Sequence, residues 1–259
     1  VDQPNTIPPL TSPGLFKARV AEAAQDSLCS YAVNAGVLPG TDIGALWKAG
    51  AMAFGELFAA PSSYGEGLDE ATIASSLDVI GRLGGLATIH AEEVLPGTPH
   101  DLASHNRLRG PSGEARAVGS IAAAGHPCQI HFCHLSTAPS VAAAGSASVE
   151  VAPHHLFLSY EQAAESDTFC KVNPPLRTDP ERRRLWTAWE RIDVIASDHA
   201  PHTLAEKEVA FESAPSGIPG VETMLPLLVA AFREGKIDLL SLIAKTSWRP
   251  AALLGIPKA

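Results

Sequence analysis

Apolar positions along this chain fall into short continuous runs separated by segments of helical spacing. "GLATIHAEE" (85–93), "PCQIHFCHLS" (127–136), "ASVEVAPHHLFLS" (147–159) and "RIDVIASDHAPH" (191–202) each read as a buried strand. Between them the period lengthens. Over 68–83, Leu68, Ile73, Leu77, Ile80 and Leu83 fall near one helical face. "TDPERRRLWTAWERI" (178–192) opens on Thr178 or Asp179 as N-cap, with Pro180 in the first turn. Leu185, Trp189 and Ile192 then share one stripe. "VETMLPLLVAAFREG" (221–235) predicts a further apolar helix, bent or started at Pro226 and stopped at Gly235.

Strands alternating with helices predict an α/β fold with a parallel sheet. Continuously apolar strands predict that both sheet faces are covered. Polar residues gather where the strands end, which is where barrel enzymes keep their chemistry. The chain has 259 residues. That meets the size of a (β/α)8 barrel, about 250 residues. With no low-complexity tract, repeat or break in composition, one domain over 1–259 is expected.

Apolar residues make up 46% of the chain and charged residues 18%, and the net charge is −9 without long acidic runs. That balance argues against nucleic acid and anionic membranes as partners. No stretch is long and apolar enough to span a bilayer. Cys29, Cys128, Cys133 and Cys170 form no CxxC pair and no disulfide-like framework, which suits a reducing cytoplasm. The chain opens on "VDQPNT" without an initiator Met, so a longer native N-terminus is expected.

Three of the strands end in His90, His134 and Asp198. A buried carboxylate needs a partner. Imidazole and carboxylate together suit zinc and similar divalent ions. In a closed barrel the three ends would converge on one mouth. Parity agrees: Ile130, Phe132 and His134 share a face, as do Val194, Ala196 and Asp198. The competing reading makes each of them a satisfied polar group at the core's rim. His131 faces away from His134, and His100, His105 and His126 fall in loops or helix ends. All four read as surface or structural. His154 and His155 end a strand with no acid beside them in sequence, and read as structural.

Two Pro-rich loops, "VDQPNTIPP" (1–9) and "KVNPPLR" (171–177), each present an amide, Asn5 and Asn173. Proline stiffens such loops and could hold an amide against a planar polar ligand; the alternative is a plain turn. "APSGIPGVET" (214–223) is Gly-rich, so its backbone can approach a ligand closely. It lacks the Lys of a phosphate loop, and no GxGxxG follows a strand elsewhere.

"PNTIPP", "IHAEE", "CHLST", "PHHLFLS", "KVNPPLR", "SDHAPHT" and "APSGIPGVET" stand in the order found in dihydroorotases. The resemblance runs from the first residues to about 250. It implies a (β/α)8 TIM-type barrel of the amidohydrolase superfamily, incomplete at its N-terminus, and one or two Zn2+ ions per subunit. It makes His90 and His134 metal ligands, Asp198 both ligand and proton shuttle, and Asn5, Asn173 and His202 substrate contacts. The backbone around Ser216 and Gly217 would close over the substrate. Many members place a carboxylated Lys between two metals; the matching stretch "AFGELFAA" offers Glu56 as the bridge instead. Other members use a nearby Asp, where this chain has Ser62, Ser63 and Tyr64. The family's His-x-His pair and Arg would precede "PNT", and its small β domain would follow the chain.

The implied reaction is reversible hydrolysis of dihydroorotate to N-carbamoyl-aspartate in pyrimidine biosynthesis. Two other readings stand beside it. One is an allantoinase- or dihydropyrimidinase-type cyclic amidase. The other is a non-catalytic subunit partnering aspartate transcarbamoylase. A homo-oligomer fits the enzyme readings.

Overall fold

The structure is a computed structural model that describes residues 1–61, 65 and 67–256. Two compact units are distinguished. One comprises Val1–Ala91 with Ile121–Cys133, the other Glu92–Ser120 with His134 onward. In chain order the regular elements are α1 (Pro13–Asp26), α2 (Ile43–Ala49), β1 (Phe54–Phe58), α3 (Glu70–Arg82) and β2 (Leu86–His90). There follow α4 (Leu102–Leu108), α5 (Pro111–Ala123), β3 (Gln129–Phe132), α6 (Ala138–Ala143), β4 (Ser148–Val151) and α7 (Pro153–Phe157). The last are α8 (Asp179–Trp186), β5 (Val194–Ile195), α9 (Leu204–Lys207), α10 (Met224–Arg233), α11 (Leu239–Ile243) and α12 (Arg249–Leu253).

In the first unit β1, β2 and β3 pair in parallel, with Phe58 opposite His90 and Ile89 opposite Phe132. Every residue of β2 is buried, so both faces of this strand are covered, as its unbroken apolar run predicts. Helix α3 starts where Asp69 accepts a hydrogen bond from the Thr72 N–H at 2.7 Å, and it buries Ile73, Leu77 and Ile80. Gly81 lies so close to Pro127 that a Cβ there would sit 2.7 Å from its carbonyl oxygen. In the second unit β4 and β5 pair in parallel through Glu150 with Val194 and Val151 with Ile195. Val149, Val151, Leu156, Leu185, Ile192 and Val194 are buried there.

Sequence pattern and structure differ at the strand ends. The run 147–159 is not one strand. β4 stops at Val151, and Pro153, at the first turn of α7, starts a helix that carries His154 and His155. Strand β3 stops at Phe132 and β5 at Ile195, before His134 and Asp198 are reached. Both residues adopt left-handed backbone, φ 36° at His134 and φ 44° at Asp198. Strand parity therefore does not carry through to them. The helix of 178–192 breaks after Trp186 and resumes as a single 3-10 turn over Trp189–Arg191. Its stripe survives, since Leu185, Trp189 and Ile192 are all buried. Helix α10 places Pro226 in its first turn, and Gly235, at φ 71°, follows its end.

Candidate functional site

The first unit brings Glu56 and His90 together. Gly55, at φ 124°, lets β1 lie against β2; a Cβ there would fall 2.1 Å from the Thr88 carbonyl oxygen. The next residue, Glu56, turns its Oε2 to 3.9 Å from Nδ1 of His90, the last residue of β2. Its side chain is 11% exposed and that of His90 is 3% exposed. The Phe58 ring lies 5.2 Å from the imidazole and bounds it on one side. Asn5 is in the same unit, exposed on a turn closed by the Leu10 N–H donating to the Pro4 carbonyl. Ser62, Ser63 and Tyr64 lie outside the described residues.

The second unit holds the other candidates. His134 is buried, and its N–H donates to Oε1 of Glu150 at 3.3 Å. The loop after it wraps a fully buried carboxylate, Glu114 of α5. Glu114 accepts from the Ser136 N–H and hydroxyl, both at 2.9 Å, from the Thr137 hydroxyl at 3.2 Å and from the Ser140 hydroxyl at 2.7 Å. Nη2 of the buried Arg177 stands 3.8 Å from the same carboxylate. Nε of Arg177 donates to Ser136 and Nη1 to Asn106, both at 2.8 Å.

Asp198 is partly exposed, and its Oδ2 lies 3.6 Å from Nε2 of the buried His154. An acid thus does accompany His154, brought by β5 rather than by neighbouring sequence. Burial, and then the charge of His134, push the His154 imidazole down to about 3, so it is neutral at physiological pH. His155 packs edge-on against it with ring centroids 4.3 Å apart. Nε2 of His155 donates to the Pro174 carbonyl at 3.0 Å. His105, also buried, donates to the Val172 carbonyl at 3.0 Å. Both bonds run to main chain, and together they hold the carbonyls that flank Asn173.

Four of the expected substrate residues converge in this unit. The Ser216 hydroxyl donates to Oδ1 of Asn173 at 3.3 Å, and Nε2 of His202 donates to the Ser216 carbonyl at 3.3 Å. The Gly217 N–H donates to the Lys171 carbonyl at 2.9 Å. Gly217 has φ 153°, and a Cβ there would meet the Ala200 carbonyl oxygen at 2.5 Å. His199 ties the two loops further, its Nδ1 accepting from the Gly220 N–H at 3.1 Å. Glu114, Arg177, Lys171 and Lys207 were not singled out in sequence, and His154 was read as structural at a strand end; Pro153, opening a helix before His154, gave a usable signal.

Chemically, the first unit offers a nearly buried carboxylate and imidazole side by side. The second offers the His134 imidazole, the Asp198 carboxylate and an imidazole held neutral next to that carboxylate. Neutral imidazole and ionised carboxylate are the donor forms a divalent cation takes, so the residues fit one.

Among solved structures the chain resembles the L-hydantoinase (dihydropyrimidinase) from Arthrobacter aurescens, with a TM-score of 0.90 over 98% of this chain and 62% of that one at 24% identity. It also matches dihydroorotase from Saccharomyces cerevisiae in complex with 5-fluoroorotic acid, with a TM-score of 0.78 over 100% of this chain and 78% of that one at 13% identity. The chain therefore shares the fold of these two structures, in line with the α/β class read from the alternation of strands and helices and with the barrel that the resemblance implied. No protein-family model matches the chain. By sequence it is 38% identical to the dihydroorotase of Methanosarcina acetivorans over 100% of its own length and 61% of the relative's. It is 39% identical to that of Halobacterium salinarum over 100% and 64%. Along its whole length the chain is thus similar to dihydroorotases, and it spans about three fifths of the length of these curated relatives. Among the described residues no helix is long and apolar enough to cross a membrane.

Proposed function

We propose that this chain carries the catalytic residues of a zinc-dependent dihydroorotase. The observation that supports it best is identity of 38–39% with dihydroorotases along the whole chain. By that correspondence His90, His134 and Asp198, with Glu56 as bridge, would hold one or two Zn2+ ions. Bound zinc polarises a carbonyl and lowers the pKa of water to about 7.

The chain's own residues do the rest. Asp198 takes a proton from the attacking water and returns it to the ring nitrogen as the amide bond breaks. His154, neutral and 3.6 Å away, brings no positive charge against that carboxylate. Asn173 reads the amide edge of the ring, and Asn5 and His202 bind the substrate carboxylate. Ser216 and Gly217 close over the substrate with their main chain. In the synthetic direction the same proton transfer runs backwards. Only dihydroorotate, among the cyclic amides considered, offers a ring carboxylate for His202.

The test is hydrolysis of dihydroorotate by the full-length protein with added zinc, with allantoin and dihydrouracil in parallel. Turnover of dihydroorotate alone, lost on chelation, is expected. Turnover confined to allantoin or dihydrouracil would establish the sister amidase, which the hydantoinase fold also accommodates. No turnover of any of the three would turn the assignment to a non-catalytic subunit. Its partner would be sought by co-purification with aspartate transcarbamoylase. A cytoplasmic homo-oligomer acting on this small molecule completes the proposal, and its size is read by sedimentation.

A further inference from the structure

Two buried ammonium groups in the second unit have no place in the chemistry above. Lys171 and Lys207 are 6% and 3% exposed. Their hydrogen-bond partners are main-chain carbonyls. Nζ of Lys171 donates to the carbonyls of Phe211 and Ala214, each at 2.6 Å, and stands 5.0 Å from the centre of the Phe211 ring. Nζ of Lys207 donates to the Pro215 carbonyl at 2.9 Å, to Thr168 at 3.0 Å and to Lys171 at 3.3 Å. Burial pulls both lysines down, Lys207 to about 8. Desolvating an ammonium is costly, so packing alone does not account for two of them.

The carbonyls they hold belong mostly to one segment, 211–215, which leads directly into Ser216 and Gly217. The Gly217 N–H in turn returns to the Lys171 carbonyl. Lys171 stands two residues before Asn173, and Lys207 five residues after His202. Each cation therefore fastens the 211–217 loop to a segment that carries one of the other recognition groups. A cage of carbonyls fixes the loop backbone whatever its side chains are. Where the recognition surface is itself main chain, that is the part that must be fixed.

We propose that Lys171 and Lys207 are positioning residues that staple the 211–217 loop, setting Ser216, Gly217, Asn173 and His202 for substrate binding. This rests on the functional reading above. It predicts an effect on substrate affinity rather than on the chemical step.

The experiment compares Lys171→Met and Lys207→Met with Lys245→Met in the full-length protein. Lys245 is also buried; its ammonium bonds the Ile192 carbonyl and stands 4.9 Å from the centre of the Trp189 ring, with no bond to the loop. Methionine keeps the stem and removes the charge. Hydrogen exchange of peptides covering 208–218 needs no activity, and it should speed up about tenfold or more in the first two variants and not in the third. KM for dihydroorotate should rise about tenfold in those two with kcat within about threefold. Equal loosening by all three variants, or unchanged exchange and KM in the first two, would overturn the proposal. If a variant fails to fold, exchange in the native protein decides. A 211–218 peptide protected like the fully buried β2 strand supports the staple, and exchange at the rate of the exposed start of α9 overturns it. Loosening of the loop in a protein that turns over no dihydroorotate would support the staple and sink only the functional reading.

Discussion

Two loops of the second unit are fixed by buried charge of opposite sign. The loop after His134 wraps an anion, Glu114, and supplies it with hydroxyls from Ser136, Thr137 and Ser140 beside Arg177. The 211–217 loop wraps two cations and supplies them with carbonyls. The first arrangement specifies side chains, because apart from the Ser136 N–H the groups around the carboxylate are hydroxyls and a guanidinium. The second specifies only the backbone path. A loop that delivers a side chain such as His134 is thus held by side chains, and one that offers main chain is held by main chain.

Acid breaks this comparison most strongly. His105, His154 and His155 are buried and neutral. Burial pushes His105 down to about 4 and His154 to about 3, and pulls His155 well below its ordinary value. Unfolded imidazoles take up protons near pH 6.5. The folded state therefore binds fewer protons between roughly pH 6.5 and the depressed folded values. The stability from these groups is fully present above about pH 6.5 and lost as pH falls through that window. Moving from pH 7 to 5 should cost on the order of 5 kcal/mol summed over the three, seen as a falling denaturant midpoint. Because His105 and His155 hold Val172 and Pro174, peptides around Asn173 should exchange faster before those around 134–140 do. A flat profile from pH 7 to 5 would mean the rings are not buried neutral.

Arg177→Met tests the other loop. It leaves Glu114 buried without its guanidinium, at an expected cost of about 3–5 kcal/mol in chemical denaturation. A loss below about 1 kcal/mol would show that the hydroxyls alone satisfy the carboxylate, and the two loops would then be held by unequal means. Gly217→Ala should be milder, about 2 kcal/mol, since it strains φ 153° and pushes a Cβ into the Ala200 carbonyl. Its larger consequence should be a raised KM with kcat little changed. An unaltered KM would remove Gly217 from the recognition surface.

What could be read from the sequence divides along the same physical line. The strand Leu86–His90 and the helix Glu70–Arg82 were legible because burial of apolar side chains imposes a period. His90, His134 and Asp198 stood out as candidates because polar residues interrupt apolar runs. Glu114, Lys171 and Lys207 were not, because a charged residue in a sequence looks exposed. Nothing local marks the tertiary partners that allow its burial. His154 was misplaced because Val149 and Val151 continue the strand alternation up to it. Pro153 in fact ends the extended backbone and opens α7. The left-handed turns at His134 and Asp198 carry no sequence signal, since neither residue is a glycine.

The smallest effect concerns the junction where the Arg177 anchor meets a helix. Thr178 is the N-cap of α8, with a reciprocal bond to Glu181. Its N–H donates to Oε2 of Glu181 at 3.2 Å, and its Oγ1 accepts from the Glu181 N–H at 3.4 Å. Thr178→Ala removes the second bond, together with the bond that the Thr178 hydroxyl donates to Oε2 of Glu181 at 2.8 Å, and should cost about 1 kcal/mol by denaturant midpoint. The cap satisfies α8 alone, and Arg177 has its own partners in Ser136 and Asn106. The loss should therefore add to that of Arg177→Met in the double variant within about 0.5 kcal/mol. A coupling well above that would mean that the helix start aims the guanidinium at Glu114. The loop of His134 would then be held through α8 as well as by its hydroxyls, and side-chain specification would extend one element further than the contacts around Glu114 imply.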